Sequence, residues 1–163
     1  MTAAPMSVVD PEAAYVGALL HLPPAAALDA IRLITPEDFA DPRMTLIITA
    51  CRELAGRGLQ PDPTVVLAHL RTHATVRGAD ALTSLALLML DLYASVPVPA
   101  SVRYYAAGLL DLSLRRRVTE MSTRLAQAAD RDSTGSLTDL VRTEVTAVAA
   151  VHARLNTATA VTA

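Results

Sequence analysis

The stretch "ITPEDFADPRMTLI", residues 34 to 47, decides how the chain is read. It holds two pairs, Thr35-Pro36 and Asp41-Pro42, and each marks the start of a helix. The side-chain oxygen of the first residue is placed to accept from N–H groups of the coming turn. Proline fits the next position, because the N–H it lacks would find no partner there. Asp38 stands three residues after Thr35, the spacing of a capping box. With the two starts this close, the segment between them is a single turn. That turn carries Phe39, the only phenylalanine of the chain, which reads as an apolar plug docking the turn on the core. Phe39, Asp41 and Pro42 are therefore assigned structural roles.

The same punctuation recurs on both sides. Asp10-Pro11 opens "DPEAAYVGALL", Pro23-Pro24 separates it from the next helix, and Asp62-Pro63 opens "DPTVVLAHLRTH". The helix that Asp41 caps has an apolar stripe of Leu46, Ile47, Ala50, Cys51 and Leu54, stopped by Gly56 and Gly58. The run "ALTSLALLMLDLYASV" (81–96) is apolar, but Asp80 and Asp91 frame it. It is too short and too interrupted to span a bilayer, and it is expected to be a fully buried core helix. Strand patterns are weak throughout. The predicted fold is all-α, a small orthogonal helical bundle over residues 1–94 followed by a long antiparallel helical hairpin.

The boundary is "SVPVPAS" (95–101), a connector kept extended because each proline pushes its predecessor out of the helical region. From Ser101 to Ala129 there is one long helical pattern without proline. The polar turn "DRDSTGS" leads to a second helix, so residues 102–155 form the hairpin. Tyr105, Leu109, Leu112, Val118, Met121 and Leu125 recur along the first rod, and Val141, Val145 and Val148 along the second. That spacing is the seam of a coiled-coil-like contact. A lone hairpin buries too little to stand free, so its stripe must dock on the bundle or on another copy. The closing "NTATAVTA" (156–163) has no pattern and is expected to be a disordered tail.

At 163 residues, 52% apolar and 18% charged, the chain is long enough for a genuine core. Its fourteen basic residues are all arginine, and its formal charge is −2. A protein whose main task is to coat nucleic acid usually carries a basic excess, so any DNA contact is expected to be indirect or weak. The one run, Arg115-Arg116-Arg117, reads as a solvated face, as a partner or subunit contact, or as a contact to DNA backbone; Arg115 and Arg116 are assigned to an oligomer or partner interface. One cysteine, Cys51, forms no internal disulfide, which points to a reducing compartment and a cytoplasmic location. The N-terminus lacks the charged and apolar regions of a secretory signal. His69 and His73 share a helical face, but no carboxylate or cysteine is in register, and two surface histidines are the simpler reading. No catalytic residue, cofactor, metal site or membrane association is expected.

The order of these elements, "DPEAAYVGALL", "ITPEDFADPRMTLIITACRELAGRG", "PDPTVVLAHLRT" and "VPVPASVRYYAAGLLDLSLRRRVTEM", resembles the N-terminal domain of the DnaB family of bacterial replicative DNA helicases. Thr35, Pro36, Glu37, Asp38, Phe39, Asp41, Pro42 and Arg43 match the central segment. Tyr104, Tyr105, Ala106, Arg115 and Arg116 match the hairpin. The resemblance spans residues 8 to 155. It implies a module in DNA replication without catalysis of its own, self-associating through the hairpin as a dimer or ring of dimers. It also implies docking of a replication protein such as primase, helicase or a loader, with the hairpin arginines in subunit packing. The sequence departs from the family in two ways. Gly78 stands where the family has a glycine pair. A RecA-like motor needs a phosphate loop ending in Gly-Lys-Ser/Thr, and a chain without lysine holds none. Three readings stay open: an interaction module, a motorless decoy that co-assembles with a replicative helicase, and an excised fragment of an ATP-dependent DNA helicase. The final segment does not look like the family's linker helix, which favours a stand-alone protein.

Overall fold

The structure, a computed structural model, describes residues 10–73, 76–96 and 98–160. Seven α-helices follow one another: α1 (Pro11–Leu19), α2 (Pro24–Ile31), α3 (Pro42–Gly56), α4 (Pro63–Thr72), α5 (Ala79–Ser95), α6 (Val102–Arg131) and α7 (Thr134–Ala160). Short 3-10 turns at Pro36–Asp38 and Pro99–Ser101 lead into α3 and α6. The architecture is all-α, with no strand among the described residues. No single helix among them is long and apolar enough to cross a membrane.

The aspartate–proline starts form as the local chemistry dictates. Asp10 accepts from the N–H of Glu12 at 3.0 Å, Asp41 from Arg43 at 2.8 Å, and Asp62 from Thr64 at 2.8 Å. The Thr35 N–H donates to Asp38 Oδ2 at 2.8 Å, closing the capping box. Each bond satisfies a backbone group that the helix itself leaves without a partner.

Helix α1 is the centre of the core. Tyr15, Val16, Ala18, Leu19 and Leu20 are fully buried, enclosed by α3, α5 and α6. Gly17 permits the closest crossing. A Cβ there would lie 2.3 Å from the carbonyl oxygen of Leu92, so only glycine lets α1 and α5 approach this far. The Tyr15 hydroxyl donates to the Ala30 carbonyl at 3.2 Å, and burial pushes its phenol pKa up. Phe39 is buried with its ring centroid 6.2 Å from that of Tyr15.

Three features differ from the sequence reading. First, α5 is not a fully buried helix. Leu85, Met89 and Leu92 face the core, but Leu87 is 63% and Leu90 56% exposed. Second, the core does not stop at the proline connector. Val102, Ala106, Leu109 and Leu110 of α6, with Val151 and Ala158 of α7, belong to the same buried cluster as α1 and α3. The base of the hairpin is thus part of the bundle; Pro97, residues 1–9 and residues 161–163 lie outside the described residues. Third, the tail expected from residue 156 is helical as far as Ala160. Ala158 is fully buried, and the hydroxyls of Thr157 and Thr159 donate to the carbonyls of Ala153 and Leu155. Tertiary packing of the last turn overrides its weak intrinsic pattern.

Candidate interaction surface

The hairpin is fastened to the bundle by buried polar groups as well as by leucines. Asp38 is fully buried, and three elements converge on its carboxylate. Its own turn supplies the Thr35 N–H, α6 supplies the Ser113 hydroxyl at 2.9 Å, and α7 supplies Arg154. Arg154 binds both carboxylate oxygens, with Nη2 donating to Oδ1 at 3.0 Å and Nη1 to Oδ2. The same guanidinium donates to the Leu33 carbonyl at 2.9 Å. Burial acts to raise the Asp38 pKa, but the hydrogen bonds from Arg154, the Thr35 backbone and Ser113 prevail and hold it below its ordinary range.

Next to it, Glu12 of α1 accepts the Ala40 N–H at 3.1 Å and Arg116 Nη1 at 3.2 Å. Arg116 Nη2 donates to the Asp38 carbonyl at 2.6 Å. Two acidic groups of the bundle therefore grip one arginine from each rod.

Beyond this clamp the hairpin has almost no core of its own. After Arg116, α6 buries only Ala128, and α7 buries nothing before Val151. The rods are tied by a bidentate pair, with Arg124 donating to the two oxygens of Glu144 at 2.6 and 2.9 Å. These bonds hold the Glu144 carboxyl below its ordinary range. Ser133 starts α7 by accepting the Ser136 N–H at 3.3 Å.

Apart from Arg115, the residues assigned to the interface fall into three groups. Val118, Val141, Val145 and Leu112 are exposed, with Val145 at 53%. Tyr105, Met121, Leu125 and Val148 are half-buried. Leu109 and Arg116 are committed within the chain. Leu109 is fully buried in the common core, so the expectation that it faces a neighbour is corrected, while Arg116 is held by Glu12 with part of its side chain still exposed. The three consecutive arginines point three ways. Arg115 pairs with Asp111 one turn earlier at 2.8 Å, Arg116 enters the clamp, and Arg117 lies in the field of Glu37 and Glu144. Tyr104 is exposed at the hairpin base.

The histidines also depart from expectation. His69 is buried, with Nε2 2.9 Å from a Glu53 carboxylate oxygen and its ring 4.1 Å from that of His73. The partner carboxylate comes from α3, which helical spacing on α4 alone does not reveal. No group of three or more His, Cys, Asp or Glu among the described residues is placed to hold a metal. Sequence reasoning also missed Glu12, Ser113 and Arg154.

A family model described as the DnaB-like helicase N terminal domain matches residues 4–111, more than half of the chain. The chain belongs to the DnaB-like helicase N-terminal domain family. This DnaB-like domain is 31% identical over 123 residues to the replicative DNA helicase DnaB of Geobacillus stearothermophilus. The match takes in 76% of the domain's chain and 26% of the relative, so the chain spans about a quarter of that relative's length. A solved structure, the N-terminal domain of DnaB helicase from Mycobacterium tuberculosis, superposes with a TM-score of 0.71 at 26% identity. It covers 85% of the DnaB-like domain and 94% of the solved chain. Residues up to 111 are too few to supply 85% of 163, so the likeness includes part of the hairpin.

Proposed function

We propose that this DnaB-like domain is a non-catalytic interaction module of DNA replication, which assembles with copies of itself through the outer half of its hairpin. The observation that carries the reading is the exposed stripe Val118, Val141 and Val145 on two rods that lack a core there. Apolar surface of this kind is stabilised when covered, by about 25 cal/mol per Å² removed from water. A second hairpin has the same stripe and the same rod geometry, so a self-complementary pairing covers both at once. Dimers formed in this way leave the bundles free to close a ring of dimers and to receive a replication protein such as primase, helicase or a loader. DNA contact is indirect in this account, because Arg103, Arg115, Arg116 and Arg124 of α6 are paired with carboxylates of the chain.

The test is co-expression of two differently tagged copies followed by two-step purification. Both tags recovered together support the module, and their loss on Val145→Glu assigns the contact to the hairpin. Failure of the two tags to co-purify contradicts it.

A second reading rests on the same exposed residues Val118, Val141 and Val145. The same stripe would accept the hairpin of a motor-bearing relative, making the domain a decoy or regulator. Native mass spectrometry of the domain mixed with such a helicase distinguishes the two. Mixed rings support the decoy, and separate assemblies support the module. A reading frame that runs on into a Gly-Lys-Thr loop would instead place the domain within an ATP-dependent helicase.

A further inference from the structure

The end of α2, the turn that follows it and the middle of α3 form a pocket of about 330 Å³. Leu28, Ile31 and Ile34 give it an apolar lining, and Ile31 and Ile34 are buried residues of the core. Its two charged residues are both arginines, Arg32 and Arg52, and no carboxylate lines it. Arg52 Nη2 donates to the Ile34 carbonyl at 3.0 Å, which orients the guanidinium and leaves its Nε and Nη1 without a partner among the described residues. Arg32 stands 3.7 Å from Asp29, too far for a hydrogen bond. That aspartate is bound by Arg103 of α6. The neighbouring acids are also committed, Asp38 to Arg154, and Glu53, next to Arg52 in the sequence, to His69. Two cations thus share one apolar hollow without a counter-charge, in a chain whose formal charge is −2. An anion between them replaces mutual repulsion by two attractions.

We propose that this pocket binds a small organic phosphate, with the phosphoryl oxygens between Arg32 and Arg52 and a ring-sized apolar group on Leu28, Ile31 and Ile34. Charge selects the head group. A carboxylate brings one negative charge, whereas a phosphate monoester brings about 1.5 to 2 at pH 7, which matches two guanidiniums. Their forked N–H donors also suit the oxygens of a phosphate. Size selects a small molecule. The volume stands at the low end of the roughly 300–1,000 Å³ of small-molecule sites. Six residues line the pocket, against about 20–30 a side in a stable protein interface. The pocket lies on α2 and α3, whereas the stripe assigned to self-association lies on α6 and α7, so ligand binding and assembly are read independently.

The experiment is calorimetric titration of the full chain with phenyl phosphate, inorganic phosphate and benzoate. Phenyl phosphate is expected to bind saturably, one per chain, and about tenfold more tightly than either of the others. Arg32→Ala and Arg52→Ala should each weaken it about tenfold, and Arg71→Ala, on α4, should leave it unchanged. Leu28→Ala should cut the advantage of phenyl phosphate over inorganic phosphate. Circular dichroism checks that each variant is folded; Arg32 makes no hydrogen bond among the described residues, so its variant keeps the test sound if Arg52→Ala unfolds. The proposal is overturned if phenyl phosphate does not saturate, if it binds no better than inorganic phosphate, or if Arg32→Ala leaves its affinity intact. Displacement of phenyl phosphate by a single-stranded oligothymidylate would overturn it too, because the pocket would then hold a nucleic-acid backbone. So would a fall in assembly mass on Arg52→Glu, because a carboxylate of a second copy would then be the occupant.

Discussion

Arg154 in the last helix closes on the carboxylate of Asp38, 116 residues earlier in the chain, and fastens the returning rod of the hairpin to the bundle. An ion pair buried this deeply contributes less to net stability than its contacts suggest, because both charges are desolvated. Its consequence is geometric. With Ser113 and Arg116 engaged at the same place, it fixes where both rods leave the bundle.

Removing one partner leaves the other charge buried without compensation. Arg154→Ala is expected to lower the unfolding free energy by about 3–5 kcal/mol. Ser113→Ala, which deletes one neutral donor, is expected to cost about 1 kcal/mol. Urea unfolding followed by circular dichroism measures both. Equal losses in the two variants would deny the arginine its special place.

The acid limb of stability follows from the same group. Folding lowers the Asp38 pKa, so between the folded value and about 3.9 the unfolded chain holds the proton more readily. The contribution is present in full above the unfolded value and is lost as pH falls through the folded one. Thermal midpoints from pH 6 to pH 2 should therefore drop steeply below about pH 4. Ser113→Ala removes a bond that holds the pKa down, and should make that drop smaller and end it at higher pH, with its onset unchanged. Glu37 and Asp41 are also held low, by hydrogen bonds, but they are little buried and add little.

Gly17→Ala tests the crossing of α1 and α5. Its methyl would meet the Leu92 carbonyl oxygen, a backbone atom that has no rotamer to escape through. A loss of about 1–3 kcal/mol is expected, read by thermal unfolding, whereas Gly56→Ala, where a Cβ meets nothing within 4 Å, should be close to neutral.

Cys51 is a small buried hydrophobe with its thiol pKa pushed up to about 12 by burial. Ellman's reagent should react with it only as fast as the protein unfolds. Rapid reaction in native buffer would contradict the packing around α3.

The local devices were legible because they are short-range. Asp10, Asp41 and Asp62 each cap within three residues of themselves, and Thr35 and Asp38 form their box within one turn. The hairpin was legible from periodicity. What escaped was whatever one sequence feature hid behind another. Asp38 had a sufficient local reason in the capping box, which masked its bond to Arg154. The run around Leu87 looked core-like because hydrophobicity does not say which side of a helix is covered. The last turn of α7 looked like a tail because alanine and threonine carry no amphipathic signal. Its helicity depends on Ala158 finding the bundle.

The central claim is that the outer hairpin is covered by a second copy. The direct measurement is light scattering coupled to size exclusion for the parent chain, Val118→Glu and Val145→Glu, with circular dichroism alongside. The account predicts a parent mass at a multiple of 17.2 kDa, and glutamate variants that fall toward the monomer with helicity unchanged. A parent that elutes as a 17.2 kDa monomer, or variants that keep the parent's mass, would contradict it.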